Sequence, residues 1–243
     1  MLDFIIYTQP RVKRGIKAEV AKDTYSLNEL WEAPKSSTLK ELEKIVKQGT
    51  LKFTGEIGEY RCYLFTCKYL ERHGPSLVEV ERPLEFWQSK EGAFVISFGF
   101  PRTAARVGIS LLSLAIFGDP TQITPFPISK PDFLRLKDAV KKLGGTITLM
   151  DVRKASWGEG VLRQLMLKGL RLENIPGLDE VLERADSIKS LGFMFRSFRT
   201  IDRKLSFRLV DWGGGQIYTP ADPQPHERAE LFKLLEESIL GIT

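Results

Sequence analysis

Arg102 and Arg106 stand four residues apart at the start of a segment whose apolar pattern predicts a helix ending at Phe117. Cations in the first turns of a helix oppose its dipole, at about 0.3–1 kcal/mol each. A local rule broken in this way points to function. A bound anion such as phosphate would meet both guanidinium groups and the free helix N–H groups together. A second cluster lies in Phe193-Met-Phe-Arg-Ser-Phe-Arg199 and Leu205-Ser-Phe-Arg-Leu209. There Arg196, Arg199, Arg203, Lys204 and Arg208 alternate imperfectly with four Phe residues. Basic groups of this kind track a phosphate backbone, and rings stack on unpaired bases. Core packing is the competing explanation of the Phe residues. Lys141, Lys142, Arg153 and Lys154 complete the candidate nucleic-acid contacts.

Other chemistry is poorly supplied. His73 and His226 are the only histidines, so no His pair stands at metal-ligand spacing. Cys62 and Cys67 are five apart in a predicted strand, which directs them to opposite faces. No Gly-x-Ser-x-Gly elbow occurs. Gly213-Gly-Gly215 precedes strand-like residues, so it reads as a turn between strands and not as a phosphate cradle. An acid pair with a nearby Lys is what a metal-dependent nuclease needs, and Asp132, Asp151 and Lys154 are the residues that would serve. Against this, Asp132 sits where an acid simply complements a helix start, and Arg153 occupies the position where Lys is wanted. Hence no catalytic residue, metal ligand or cofactor is assigned.

The cations are unevenly spread. Residues 101–171 hold twelve Lys and Arg against five acids, a net of +7, whereas the whole chain of 243 residues carries +5. Concentration of charge in one third of a chain points to a polyanionic partner. Two cysteines exclude a disulfide scaffold, and the longest apolar stretch, Val107 to Phe117, is too short for a bilayer. The acid in Met1-Leu-Asp3 and the absence of a cleavage site argue against a targeting segment. A cytoplasmic protein without a membrane partner is the expectation. Asn occurs only at Asn28 and Asn174 beside abundant Lys, Arg and Glu, a pattern of hyperthermophile proteins.

The elements that must position these residues predict an α+β fold. A strand-rich N-terminal part, residues 1–90, precedes a basic mixed part, residues 91–243, with a C-terminal hairpin and helix; a single domain is the alternative. Phe4 to Thr8 reads as a strand, and Thr38-Leu-Lys-Glu41 as a capping box opening a helix that Gly49 ends. Strands follow at Leu51–Thr54, Tyr60–Leu70, Leu77–Glu81 and 93–100, with Pro83 separating the last two. Ser129 caps a helix closed by Gly144-Gly145, and a strand follows at Thr146–Val152. Helices are predicted near Val161–Lys168 and Leu178–Ala185, then a hairpin of Gly192–Arg199 with Leu205–Trp212. A short strand, Gln216–Thr219, and an amphipathic helix, Glu227–Leu240, end the chain.

These features predict a non-enzymatic DNA- or RNA-binding protein that contacts the phosphate backbone. It would act as an accessory subunit beside a protein partner. The alternatives are a scaffold subunit without nucleic acid, and the nuclease above.

Overall fold

The computed structural model describes residues 1–10, 23–33, 37–90, 93–99, 102–157 and 160–240. It is an α+β protein in which strands dominate: twelve strands and six α-helices lie among the described residues. The chain divides into two compact units, Ile5–Pro125 and a second that joins Met1–Phe4 to Phe126–Thr243.

The first unit takes most of β1 (Leu2–Thr8), then β2 (Thr24–Ser26), α1 (Leu27–Glu32), α2 (Ser37–Ile45) and β3 (Val46–Ile57). It continues through β4 (Tyr60–His73), β5 (Ser76–Ser89), β6 (Phe94–Phe98), α3 (Arg102–Phe117) and β7 (Thr124–Pro125). Strands β2 to β6 are antiparallel neighbours in chain order. Alternation along β4 sends Tyr63, Phe65, Cys67 and Tyr69 into a core shared with Ala104, Val107, Leu111 and Leu112 of α3. Gly108 permits this approach, because a Cβ there would lie 2.6 Å from Phe86 and 2.7 Å from Phe65. Two expectations for this part of the chain change. Helix α2 ends at Ile45, and Gly49 lies within β3, where a Cβ would sit 3.0 Å from that of Cys67. Pro83 does not interrupt β5: it pairs with Thr66 on β4, while β6 reaches only Glu85 to Gln88. Its missing N–H therefore costs no ladder bond on that side. The capping-box side chain of Thr38, the basic loop after Pro10, the turn at residues 91–92 and Pro101 lie outside the described residues.

The second unit contains α4 (Lys130–Lys142), β8 (Thr146–Trp157), β9 (Gly160–Lys168), a 3-10 turn (Leu172–Asn174) and α5 (Leu178–Arg184). Then come β10 (Ser187–Phe195), β11 (Leu205–Val210), β12 (Gly214–Thr219) and α6 (Pro225–Leu240). Its strands form an open antiparallel sheet in the order β12-β11-β10-β8-β9. Residues 161–168, expected to be helical, are a strand. They pair with β8 from Leu149↔Lys168 to Trp157↔Gly160, and this hairpin overrides the local helix-like spacing. Ser129 caps α4 as expected, in a reciprocal box with Asp132.

Period-two alternation divides the sheet. Ile147, Phe193, Phe195, Leu205, Phe207, Leu209 and Ile217 are all at most 1% exposed. Helices cover this face. A Cβ on Gly145 would meet both Phe195 and Val140 of α4, and the Phe4 ring lies 5.0 Å from Phe232 of α6. The first residues of the chain thus complete this unit: Met1 donates its ammonium to Ala221 O at 2.9 Å, and Gln216 Nε2 donates to Asp3 at 2.7 Å. The opposite face carries Met194, Ser206, Arg208, Gln216 and Tyr218, all partly or fully exposed.

A cationic hollow on the open sheet face

A hollow of about 440 Å³ lies on that open face, lined by residues of β8, β10, β11 and β12 and by the chain leaving β9. The strand registers explain its composition. Lys168 faces Leu149, Leu149 faces Gly192, Gly192 faces Arg208, and Arg208 faces Gln216. One row therefore crosses five strands, with Lys168 and Arg208 three strand spacings apart, about 14 Å. Gly192 forms a low floor between them. A Cβ there would come within 2.9 Å of the Leu149 Cβ and 3.1 Å of the Thr148 Oγ1, so this position admits no side chain without displacement. Lys204, Ser206, Met194, Tyr218 and Leu170 supply the remaining walls.

The lining contains three cations, Lys168, Lys204 and Arg208, and no acid. Arg208 Nη2 donates to Ser190 Oγ at 3.0 Å, which fixes the guanidinium across the sheet. Its Nε is buried with no hydrogen-bond partner among the described residues. A buried donor left this way is costly and normally finds an acceptor. Neither Lys168 nor Lys204 forms an ion pair among the described residues. Three positive charges converging without neutralisation suit an anionic ligand.

The other sequence candidates separate into distinct settings. Arg203 donates through Nε and Nη2 to both oxygens of Glu227 on α6, each at 2.5 Å, and the Glu227 side chain is 4% exposed. That bond holds the Glu227 carboxyl below the usual carboxylate range. Arg199 pairs with Glu230 at 3.2 Å and Glu237 at 2.7 Å, also on α6, and lies over the Phe198 ring. Lys141 pairs with Asp179 at 3.7 Å and Lys154 with Asp186 at 3.1 Å. Lys142, Arg153 and Arg196 are exposed. Only Lys204 and Arg208 of the eleven candidates line the hollow. Phe193, Phe195, Phe198 and Phe207 are at most 2% exposed, so core packing accounts for them, and the ring that lines the hollow is Tyr218.

Arg102 and Arg106 belong to the other unit, exposed on the first turns of α3. Arg106 borders a hollow of about 220 Å³ with Tyr7, Ser110, Thr121 and Thr124. Burial pushes the Tyr7 phenol up to about 12, and the charges of Arg106 and Arg102 pull the other way.

The residues of the nuclease alternative are engaged separately. Asp132 accepts from Ser129 and Arg135 at the start of α4. Asp151 is buried on β8 and accepts from Gln164 Nε2 at 2.9 Å, while Lys154 points its ammonium to Asp186. Among the described residues no group of three His, Cys, Asp or Glu is placed to hold a metal ion. Cys62 and Cys67 are both buried and not bridged by a disulfide, and only Cys67 joins the core beneath α3.

Sequence reasoning missed Lys168, Thr148, Ser206 and Tyr218. Lys168 was hidden by the helical reading of residues 161–168. The available signal was Gly158-Glu-Gly160 after a strand, which marks a hairpin and would have set Lys168 against Leu149.

No protein-family model matches the sequence, and comparison with curated proteins finds no significant relative. No helix among the described residues is long and apolar enough to cross a membrane.

Proposed function

We propose that the chain is a nucleic-acid-binding protein without catalysis of its own, holding the phosphate backbone on the open sheet face of the second unit. One observation carries the reading: Lys168, Lys204 and Arg208 converge on a hollow that contains no acid. The serine and threonine hydroxyls beside them offer further donors to phosphate oxygens. The protein acts as an accessory subunit beside a protein partner in a cytoplasmic nucleoprotein complex. Support for the protein partner comes from β9, an edge strand exposing Val161, Leu162 and Met166, because natural sheets usually cover or blunt such edges.

The test is binding of labelled single- and double-stranded DNA and RNA across a salt series. Three groove cations give a log–log slope of about −2 to −3. Binding that ignores salt, or none at 50 mM salt, overturns the reading and leaves the scaffold alternative. Metal-dependent cleavage abolished by Asp151→Ala and by Lys154→Ala would instead establish the nuclease.

A further inference from the structure

We propose that the hollow is a subsite for one unstacked nucleotide, so that the protein selects single strands over duplex. This rests on the reading of the open face as a nucleic-acid surface. Three cations would satisfy any polyanion, but the space between them is not a surface for phosphate. Its floor is Gly192 with Leu149, and Met194, Leu170 and the Tyr218 ring form apolar walls. A flat, apolar group flanked by anions fits such a site, and a nucleobase between two phosphates is that group. The volume, about 440 Å³, falls within the range of small-ligand pockets, roughly 300–1,000 Å³.

The geometry gives the strand a direction. Lys168 and Arg208 lie three strands apart on one cross-strand row, with the glycine floor between. A single strand crossing the sheet along this row sets one phosphate near Lys168 and another near Arg208 and Lys204. The intervening base enters over Gly192 and lies against Tyr218. Tyr218 Oη donates to Gln216 Oε1 at 2.9 Å, and this bond fixes the ring's position on the sheet. A duplex keeps its bases stacked and paired and presents sugar and phosphate to the same surface, so it leaves the apolar walls unfilled.

The experiment measures fluorescence anisotropy of a labelled 12-nucleotide strand and of the same sequence as duplex, each with wild-type protein, Tyr218→Ala and Tyr218→Phe. Single strand binds at least ten times more tightly than duplex to the wild type. Tyr218→Ala loses about 5- to 100-fold in single-strand affinity and leaves duplex binding unchanged. Tyr218→Phe keeps the ring and stays within threefold of wild type. Gly192→Leu fills the floor and abolishes the preference for single strand; if that variant misfolds, the Tyr218 pair decides alone. Equal affinity for the two forms, or a Tyr218→Ala protein that binds single strand normally, overturns this inference while Lys168→Gln and Lys204→Gln still weaken binding. Absence of salt-dependent binding to either form overturns both the inference and the reading beneath it.

Discussion

Arg203 and Lys204 are adjacent in sequence, yet they end in opposite electrical surroundings. Arg203 lies against a row of acids on α6, where Glu227, Glu230 and Glu237 take up Arg203 and Arg199. Lys204 turns to the open face, where Lys168 and Arg208 accompany it and no acid answers them. The local composition is the same on both sides of this divide, and a charge count does not distinguish them. The difference lies in what the charges are paired with. A cation paired with a buried carboxylate is committed to the fold, and one left unpaired beside an apolar hollow is available to a ligand.

The strongest way to break the comparison is to empty the groove of charge. Lys168→Gln, Lys204→Gln and Arg208→Gln together should cost about 1 kcal/mol per lost phosphate contact, about 100-fold in affinity for a single strand. The salt slope should fall close to zero in the same titration, while the melting temperature stays near that of the wild type. A triple variant that binds normally would show that the face is only a solvated surface. The complementary substitution is Arg203→Ala, which strands the Glu227 carboxylate. It should lower the midpoint of a denaturant titration, and measured well below its melting point it should bind within twofold of wild type.

The pH dependence sharpens the same contrast. Arg203 lowers the Glu227 pKa in the folded state, so the pair contributes stability above the unfolded carboxylate value of about 4.3 and loses it as pH falls through the folded value. Thermal melts from pH 6 to pH 3 should therefore show a fall in stability that Glu227→Gln flattens. Affinity for a labelled single strand, read between pH 6 and pH 5, should change far less than stability does.

Smaller effects test the sites outside both regions. Replacing Arg106 by Gln removes a cation from a helix start, so calorimetry should show an unchanged or slightly raised melting temperature. Its effect on the salt slope should be less than that of the groove triple; a larger effect would move the main phosphate contact to the hollow beside Arg106. Lys141→Gln with Lys142→Gln should change affinity by less than twofold and stability by at most about 1 kcal/mol, since only an exposed pair with Asp179 is lost.

What could be read in the sequence was local. The Ser129 cap, the β10–β11 hairpin, the end of α3 at Phe117 and the last helix are each specified by residues within a few positions. The alternation Leu205-Ser-Phe-Arg-Leu209 also carried the division of β11 into a buried and an open face. The groove was not legible because it is made by register. Lys168 and Arg208 are forty residues apart, and they meet only when β9 pairs with β8 and β8 with β10. The same holds for the acids of α6, whose pairing with Arg199 and Arg203 withdraws two of the cations that composition had put forward.

The contribution of the first four residues to the second unit bears on how the protein is made. Asp3 reaches a partner 213 positions later, at Gln216, and Phe4 packs on Phe232. A ribosome delivers Met1–Phe4 more than two hundred residues before Gln216 and Phe232, so this unit cannot close until both partners have been made. The segment Ile5–Pro125 emerges whole before that and can fold on the way out. A fragment begun at Phe126 would leave Phe232 without its ring partner and Gly215, where a Cβ would come 2.2 Å from the Phe4 ring, uncovered. Supplying the opening residues as a separate peptide should restore cooperative unfolding to that fragment, in the manner of a split protein reassembled from unequal halves.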